Sequence, residues 1–340
     1  MFMQNILSQF FFDCSGLEAV VFGNGLIHST YRVERDNEPK YILQKMNAMV
    51  FKKPLDIAEN LDKLSDFLRS KNTEIFFPLP EKTLSGAPYA IENGEYFRLT
   101  EFVSNSHSLD ACISADQAFQ AAYQFGRFTA VFEGFDERKL KPSIPGFHDL
   151  SFRWNQFIES VERGNPIRIK HAAKEIEFVM ENKSIVDKFN LIQQSPRFRQ
   201  RVTHHDTKIN NVLFNSENKS ICPIDLDTVM SGFFISDLGD MFRTYLSPGS
   251  EEETDLEAVF VRKDFYQAIV EGYLEKMADI LTAEEKENLP YAGDFMIFMQ
   301  AIRFLADFLN DDIYYGIRYE MNNYDRTVNQ LHLLRSFQRI

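Results

Sequence analysis

Thr203-His204-His205-Asp206-Thr207-Lys208-Ile209-Asn210-Asn211-Val212-Leu213-Phe214, followed by Pro223-Ile224-Asp225-Leu226-Asp227, is the stretch that decides how this chain reads. It places a carboxylate, Asp206, and a carboxamide, Asn211, in one polar loop, then an apolar strand-like run (NVLF) and a second carboxylate on another (CPIDL). Taken singly, Asp and Asn in a polar segment are ordinary turn residues. In this order and spacing they read as a site. Hard oxygen donors of this type suit Mg²⁺, which takes one or two carboxylates together with substrate phosphates. Phosphoryl transfer needs one carboxylate to orient the nucleophile and an Asn with an Asp to hold metal on the phosphates.

Working outward, the chain changes character on either side. Residues 18–103 are strand-rich: EAVVF, TYRVER, KYILQKM, APYAIEN and EYFRLTEFV are β-branched or aromatic runs separated by Gly, Pro and Asn. One helix interrupts them, with Pro54 at its start and Ile57, Leu61, Leu64 and Leu68 on one face. The N-terminal MFMQNILSQFFFDCSG reads as a first helix, since it lacks the basic flank of a signal peptide. Beyond about residue 110 helices dominate. Ala118, Ala121, Ala122, Phe125, Phe128 and Phe132 make one apolar stripe, and amphipathic segments cover roughly 151–163, 169–194, 255–281, 291–310 and 325–338. The expected architecture is α+β in two lobes, 1–102 sheet-rich and 103–340 helical, with the polar 203–240 stretch inside the second.

Composition narrows the function classes. In 340 residues, Lys and Arg number 37 against 50 Asp and Glu, a formal net charge of −13. A nucleic-acid partner, which needs a cationic face, is not expected, nor is a polybasic membrane surface. No run of about 18 apolar residues occurs, so no membrane span is expected. Cys14, Cys112 and Cys222 lie far apart with no CxxC, which points to a reducing, cytoplasmic setting.

With those residues in view, His204-x-Asp206-x-x-x-x-Asn211 resembles the catalytic loop shared by aminoglycoside phosphotransferases and their protein-kinase relatives, and Asp225 stands where the metal-binding Asp after that loop is expected. The longer string THHDTKINNVLF…PIDLDTVMSGFFISDLGDMFR is similar to the N-acetylhexosamine 1-kinase-like branch of that family, and the resemblance extends from about Gly23 to about Leu333. It implies a protein-kinase-like two-lobed fold with ATP and Mg²⁺ in the cleft. Asp206 would be the catalytic carboxylate, Asn211 and Asp225 the metal ligands, and His204 and Asp237 structural braces. Asp227, two residues beyond Asp225 on an expected strand, would point to the same side and either share the metal or support it. His205 takes no role.

The nucleotide end rests on Phe22-Gly23-Asn24-Gly25-Leu26-Ile27-His28-Ser29-Thr30-Tyr31, which resembles the family's Gly-containing phosphate loop. Gly23 and Gly25 would let backbone N–H groups approach phosphate oxygens. There is no GxxxxGK[ST] and no Rossmann fingerprint. His28-Ser29 replaces a more polar pair expected in close relatives. The strand cation would be Lys45, held by Glu59 of the following helix. A one-residue change of register would present Gln44 instead, but Gln cannot neutralise phosphate. Glu101 and Val103 lie in the segment that resembles the hinge meeting adenine.

Arg303-Phe304-Leu305-Ala306-Asp307 is similar to a late helix motif whose Arg reaches the substrate; an Arg303–Asp307 ion pair is the bland alternative. Ile144-Pro145-Gly146-Phe147-His148 also resembles a family feature, of unassigned role. The function expected is transfer of the ATP γ-phosphate to a sugar hydroxyl, sharpened to the anomeric hydroxyl of an N-acetylhexosamine. The alternatives are another small acceptor (aminoglycoside, choline or homoserine) and, in a different class, a non-catalytic nucleotide-binding scaffold. Nothing in the chain marks an oligomer interface.

Overall fold

A computed structural model describes residues 2–23 and 28–340 of the chain. The N-terminal part is a five-stranded sheet built from β1 (Leu17–Val21), β2 (Ser29–Arg35), β3 (Glu38–Lys45), β4 (Ala90–Glu92) and β5 (Glu95–Glu101). Its order is β1-β2-β3-β5-β4, and each neighbouring pair is antiparallel. Alternation along the strands gives it two different faces. One carries Leu17, Val33, Leu43, Phe97 and Leu99, and Ile6 and Leu7 of the short helix α1 (Phe2–Leu7) pack onto it with Phe10. The other face carries polar side chains and turns toward the second lobe.

Helix α2 (Pro54–Ser70) starts on a proline, whose missing N–H is harmless in the first turn. Its expected apolar stripe, Ile57, Leu61, Leu64 and Leu68, is buried against Phe77, Tyr89, Phe128, Phe132, Leu226 and Val229. The helix is therefore a wedge shared by both lobes. Asn60 on its buried side fixes it: Nδ2 donates to the carbonyls of Lys141 (2.8 Å) and Val229 (3.3 Å), and Oδ1 accepts from the Lys141 N–H.

The helical lobe begins after the two-residue strand β6 (His107–Ser108) with α3 (Ala115–Val131) and α4 (Leu150–Arg163). Next come three shorter helices, α5 (Pro166–His171), α6 (Ala173–Glu181) and α7 (Ser184–Gln194). The 169–194 segment reads as continuous in sequence, but Asn182 stops α6 because its side chain turns back to donate to the Phe178 carbonyl. Short strands β7 (Gln200–Thr203), β8 (Val212–Phe214), β9 (Ser220–Pro223) and β10 (Met230–Phe233) frame the polar stretch, with β10 paired to β7 and β8 between β6 and β9. Helices α8 (Phe234–Tyr245), α9 (Lys263–Met277), α10 (Ala283–Glu287), α11 (Tyr291–Leu309) and α12 (Asn322–Phe337) complete the chain. The expected 255–281 helix forms only from Lys263, and α10, too short for periodicity to reveal, is set by a Thr282/Glu285 capping box. Among the described residues no helix is long and apolar enough to cross a membrane.

Helices α3 and α9 cross at glycines. A Cβ on Gly272 would lie 2.3 Å from the Phe119 carbonyl oxygen, and one on Gly126 would lie 2.8 Å from that of Tyr273. The close crossing seats α3, whose Phe125 and Phe128 floor the polar loop. Gly272→Ala should therefore cost on the order of 1–3 kcal/mol or more, since the clash is with backbone that cannot swing aside; urea unfolding of the two proteins measures it.

Candidate active site

The loop from His204 to Asn211 has no strand partner for its first N–H groups, and α8 supplies acceptors. Asp237 Oδ2 accepts from the His204 N–H (3.0 Å) and Oδ1 from the His205 N–H (2.7 Å), while Asp240 Oδ2 accepts from the Thr207 N–H (2.8 Å). Thr207 Oγ1 donates to the Asp237 carbonyl and Tyr245 Oη to the Thr207 carbonyl. His204 is fully buried, with its ring edge-on to Phe125 and Phe128. Nε2–H donates to the Ile224 carbonyl (3.0 Å) and Nδ1 accepts from the Asp206 N–H (3.3 Å), the only tautomer that serves both. This ring ties the loop to the Asp225 segment. Burial pushes the Asp237 carboxyl up to about 6 even against these bonds.

Asp206 comes out of the loop between Asn211 and Lys208. Asn211 Nδ2 donates to the Asp206 carbonyl (2.9 Å) and to Oδ2 (3.0 Å), and Lys208 Nζ lies 3.1 Å from Oδ1. Burial would raise the Asp206 carboxyl, but the Lys208 ammonium and the neighbouring donors together outweigh it and keep the group below its ordinary value. Turning Nδ2 toward Asp206 leaves the Asn211 Oδ1 lone pairs available to a ligand. The expected CPIDL strand stops at Pro223, because Asp225 adopts a left-handed backbone (φ 60°) and the chain enters a 3₁₀ turn, Leu226–Thr228. Strand alternation therefore does not govern Asp225 and Asp227. Burial, then the Asp227 and Asp206 charges, push the Asp225 carboxyl up to about 7.

Asp227 is not left free beside it. Arg98 of β5 grips it through both Nη atoms, and His28 Nε2 lies 2.7 Å from Oδ2. Burial opposes ionisation, yet Arg98 and His28 hold the carboxyl down to about 2. His28 Nδ1 accepts from the Asn47 N–H and the ring stacks on Phe51. The His28 departure from the expected polar pair thus supports a carboxylate. Ligand atoms of His28, Asp225 and Asp227 lie within 4.8 Å of one another.

The expected Lys45–Glu59 pair is not formed. Lys45 shares the Leu43 face of the sheet, away from this cluster, and pairs with Glu95 at 2.5 Å. Glu59 pairs with Lys63 (2.7 Å) and Lys141 (2.5 Å). The register puts Gln44, not Lys45, on the cluster side, directly across from Arg98. Gly23 has a left-handed backbone (φ 73°), with nothing among the described residues within 4 Å of where a Cβ would stand, and Gly25 lies outside the described residues. Glu101 closes β5 opposite Tyr41; Val103 follows, its carbonyl accepting from Ser106 Oγ.

A wall of rings leads away from Asp206. The His205 Nδ1 lies 3.2 Å from that of His148, Phe147 stacks on His148 (4.4 Å), and the Arg303 guanidinium sits 5.5 Å from the Phe147 and Tyr315 rings. Burial pushes His205 down to about 3, so the two imidazoles meet uncharged. Arg303 and Arg153 line a cavity of about 440 Å³. Arg303 does not pair with Asp307, whose oxygens accept the Tyr314 and Tyr315 N–H groups (2.8 Å each) and Asn323. Arg153 bonds Gln156 and the Phe147 carbonyl, and burial together with Arg303 lowers it to about 10.

The profile of a family described as "Phosphotransferase enzyme family" matches residues 18–277. The chain belongs to that family. Among solved structures, this phosphotransferase is similar in fold to an aminoglycoside phosphotransferase from Alicyclobacillus acidocaldarius subsp. acidocaldarius (TM-score 0.66, 12% identity, covering 99% of this chain and 95% of the other). It is similar also to a microcompartment-associated aminopropanol kinase (TM-score 0.63, 17% identity, 98% and 94%) and to an amicoumacin kinase captured with AMP-PNP and Ca²⁺ (TM-score 0.60, 15% identity, 97% and 93%). The kinase-like two-lobed fold is shared across that low identity.

In this phosphotransferase the roles of Arg98, His28 and His148 escape a sequence reading because their partners, Asp227 for the first two and His205 for the third, lie far along the chain, whereas Arg153 bonds residues close to it and sits in no motif that marks it. The alternation of β5, which sets Arg98 between the core residues Phe97 and Leu99, was the available hint. Asp225 generates a pH signature. Below about pH 4 its carboxyl is protonated in folded and unfolded chain alike. Between there and about 7 the unfolded chain ionises it while the fold retains the proton, so its contribution to stability is lost as pH rises. Metal-free Asp225→Asn should therefore melt above wild type near pH 8, with the gap narrowing toward about pH 5; thermal melts in EDTA at both values test this.

Proposed function

We propose that this phosphotransferase is an ATP-dependent kinase of a small hydroxyl acceptor, and that the acceptor is the anomeric hydroxyl of an N-acetylhexosamine. The observation that carries the reading is the held Asp206: an ionised carboxylate steadied by Asn211 and Lys208, beside a second carboxylate that has no ion-pair partner among the described residues. Asp206 orients the acceptor hydroxyl and takes its proton late, which suits a carboxylate too weakly basic to remove it early. Positioning and fixed charge supply most of the rate gain.

The donor set fits Mg²⁺. Asn211 Oδ1 and the Asp225 carboxylate are hard oxygens, and the raised Asp225 is the mark of a group that a cation would satisfy. When bound, the ion neutralises charge on the transferring phosphoryl group. His204 and Asp237 hold the loop in register for this, and backbone at Gly23 and along Glu101–Val103 receives the nucleotide.

Arg153 and Arg303, neither with a carboxylate partner among the described residues, line the acceptor-side cavity, where their charge disfavours cationic acceptors such as aminoglycosides or choline and their N–H donors suit sugar oxygens. The 203–243 string supports the hexosamine form. A second reading is favoured by the same pair: an acceptor bearing a carboxylate, such as homoserine. The unpaired thiols Cys14, Cys112 and Cys222 suit a cytoplasmic enzyme.

ADP release over a panel of N-acetylglucosamine, N-acetylgalactosamine, plain hexoses, choline, homoserine and kanamycin tests the acceptor. Turnover with an N-acetylhexosamine that disappears for its methyl glycoside is expected; turnover with the blocked sugar, or with an amine only, overturns the anomeric assignment. Asp206→Asn should keep its melting temperature and ATP affinity while turnover falls by about two to four orders of magnitude. A loss under about tenfold removes Asp206 from the role.

A further inference from the structure

A guanidinium lies over the carboxylate cluster where a strand lysine was expected, and the sheet register says why. Thr30, Gln44 and Arg98 stand opposite one another on β2, β3 and β5. They share one face, while the next row, Ser29, Lys45 and Phe97, shares the other. Lys45 is thereby committed to Glu95 on the far face. On α2, Glu59 is committed to Lys63 and Lys141 and so does not hold that position.

We propose that Arg98 is the cation that meets the phosphates of the nucleotide, and that Asp227 is the carboxylate that holds it in place rather than a metal ligand. The inference rests on the reading of the cleft as a nucleotide site.

The guanidinium is 4% exposed, and its two Nη atoms serve Asp227 and Gln44. Its Nε–H is buried and has no acceptor among the described residues. A phosphate oxygen, which only accepts, is the group that such a donor lacks. Two-point pairing with Asp227 fixes the plane of the fork, as a glutamate on a helix fixes a strand lysine in kinases. Asp227 in turn has three of its about four lone-pair sites occupied, two by Arg98 and one by His28, which leaves little for an ion. Asp225 carries no such partner among the described residues and stands next to the pair. The division of labour is then one free carboxylate for metal and one engaged carboxylate for the phosphate cation.

Equilibrium binding of ATP and of adenosine to the full chain, followed by calorimetry, tests this without turnover. Arg98→Met should weaken ATP by about tenfold or more and leave adenosine within about twofold, whereas Lys45→Met should leave both within about twofold. Removing Arg98 also exposes the charge of Asp227, so Arg98→Met/Asp227→Asn decides the cause. If the double variant, folded by thermal melt, still binds ATP weakly, the guanidinium itself holds phosphate. If it recovers wild-type ATP affinity, the loss came from the bared carboxylate and the proposal is overturned. Equal ATP affinity in wild type and Arg98→Met also overturns it. Wild-type protein with no ATP affinity would overturn the kinase reading together with this one.

Discussion

Two buried carboxylates on the first turns of α8 hold the site together. The loop that carries Asp206 must leave strand geometry to project its side chains, and its backbone N–H groups then have no ladder to join. Buried donors without partners are costly. Asp237 takes two of them and Asp240 a third, so the direction in which β10 feeds into α8 sets where Asp206 points. The strain appears on Asp237 itself, whose carboxyl rises to about 6 in its buried position. Substitution there would release the loop even though Asp237 touches none of the groups assigned to chemistry.

From that anchored loop the electrostatics follow as a problem of three carboxylates in one small volume. Asp206, Asp225 and Asp227 cannot all stay ionised unaided in a low-dielectric cleft. The fold resolves two of them differently. Lys208 and Asn211 steady Asp206, and Arg98 with His28 pins Asp227. Asp225 is left without an ion-pair partner among the described residues, and the left-handed turn at its own backbone takes it out of strand alternation with Asp227 while their ligand atoms stay within 4.8 Å.

The same carboxylates also join the lobes. Arg98 from the sheet and His28, just before β2, reach Asp227, and Asn60 of α2 holds the Val229 carbonyl two residues further along. The segment after Asp225 is therefore gripped by two N-terminal elements at once. Its geometry depends on the sheet register as much as on its own sequence. On the other side, the Phe147–His148–His205 stack links the loop to Arg303 and the cavity it lines, so that cavity and the carboxylate cluster are both built on the one loop.

Sequence alone determined what local chemistry can encode. The Asp206–Asn211 spacing and the following Asp225 marked the loop, alternation marked the strands, and the Ile57–Leu68 stripe marked α2, because each is written within a few residues of itself. Asp237 and His204 were legible as braces only through family resemblance, and their hydrogen bonds now supply the reason. Tertiary structure alone decided which side chain faces the cleft. Lys45 and Gln44 differ by one position on β3, and only pairing with β2 and β5 selects a face. Arg98 and Asp227 are 129 residues apart, and no periodicity links them. A buried charge finds its partner by packing, not by sequence distance, which is why Glu59 reads as a partner for Lys45 and turns out to belong to Lys141 and Lys63.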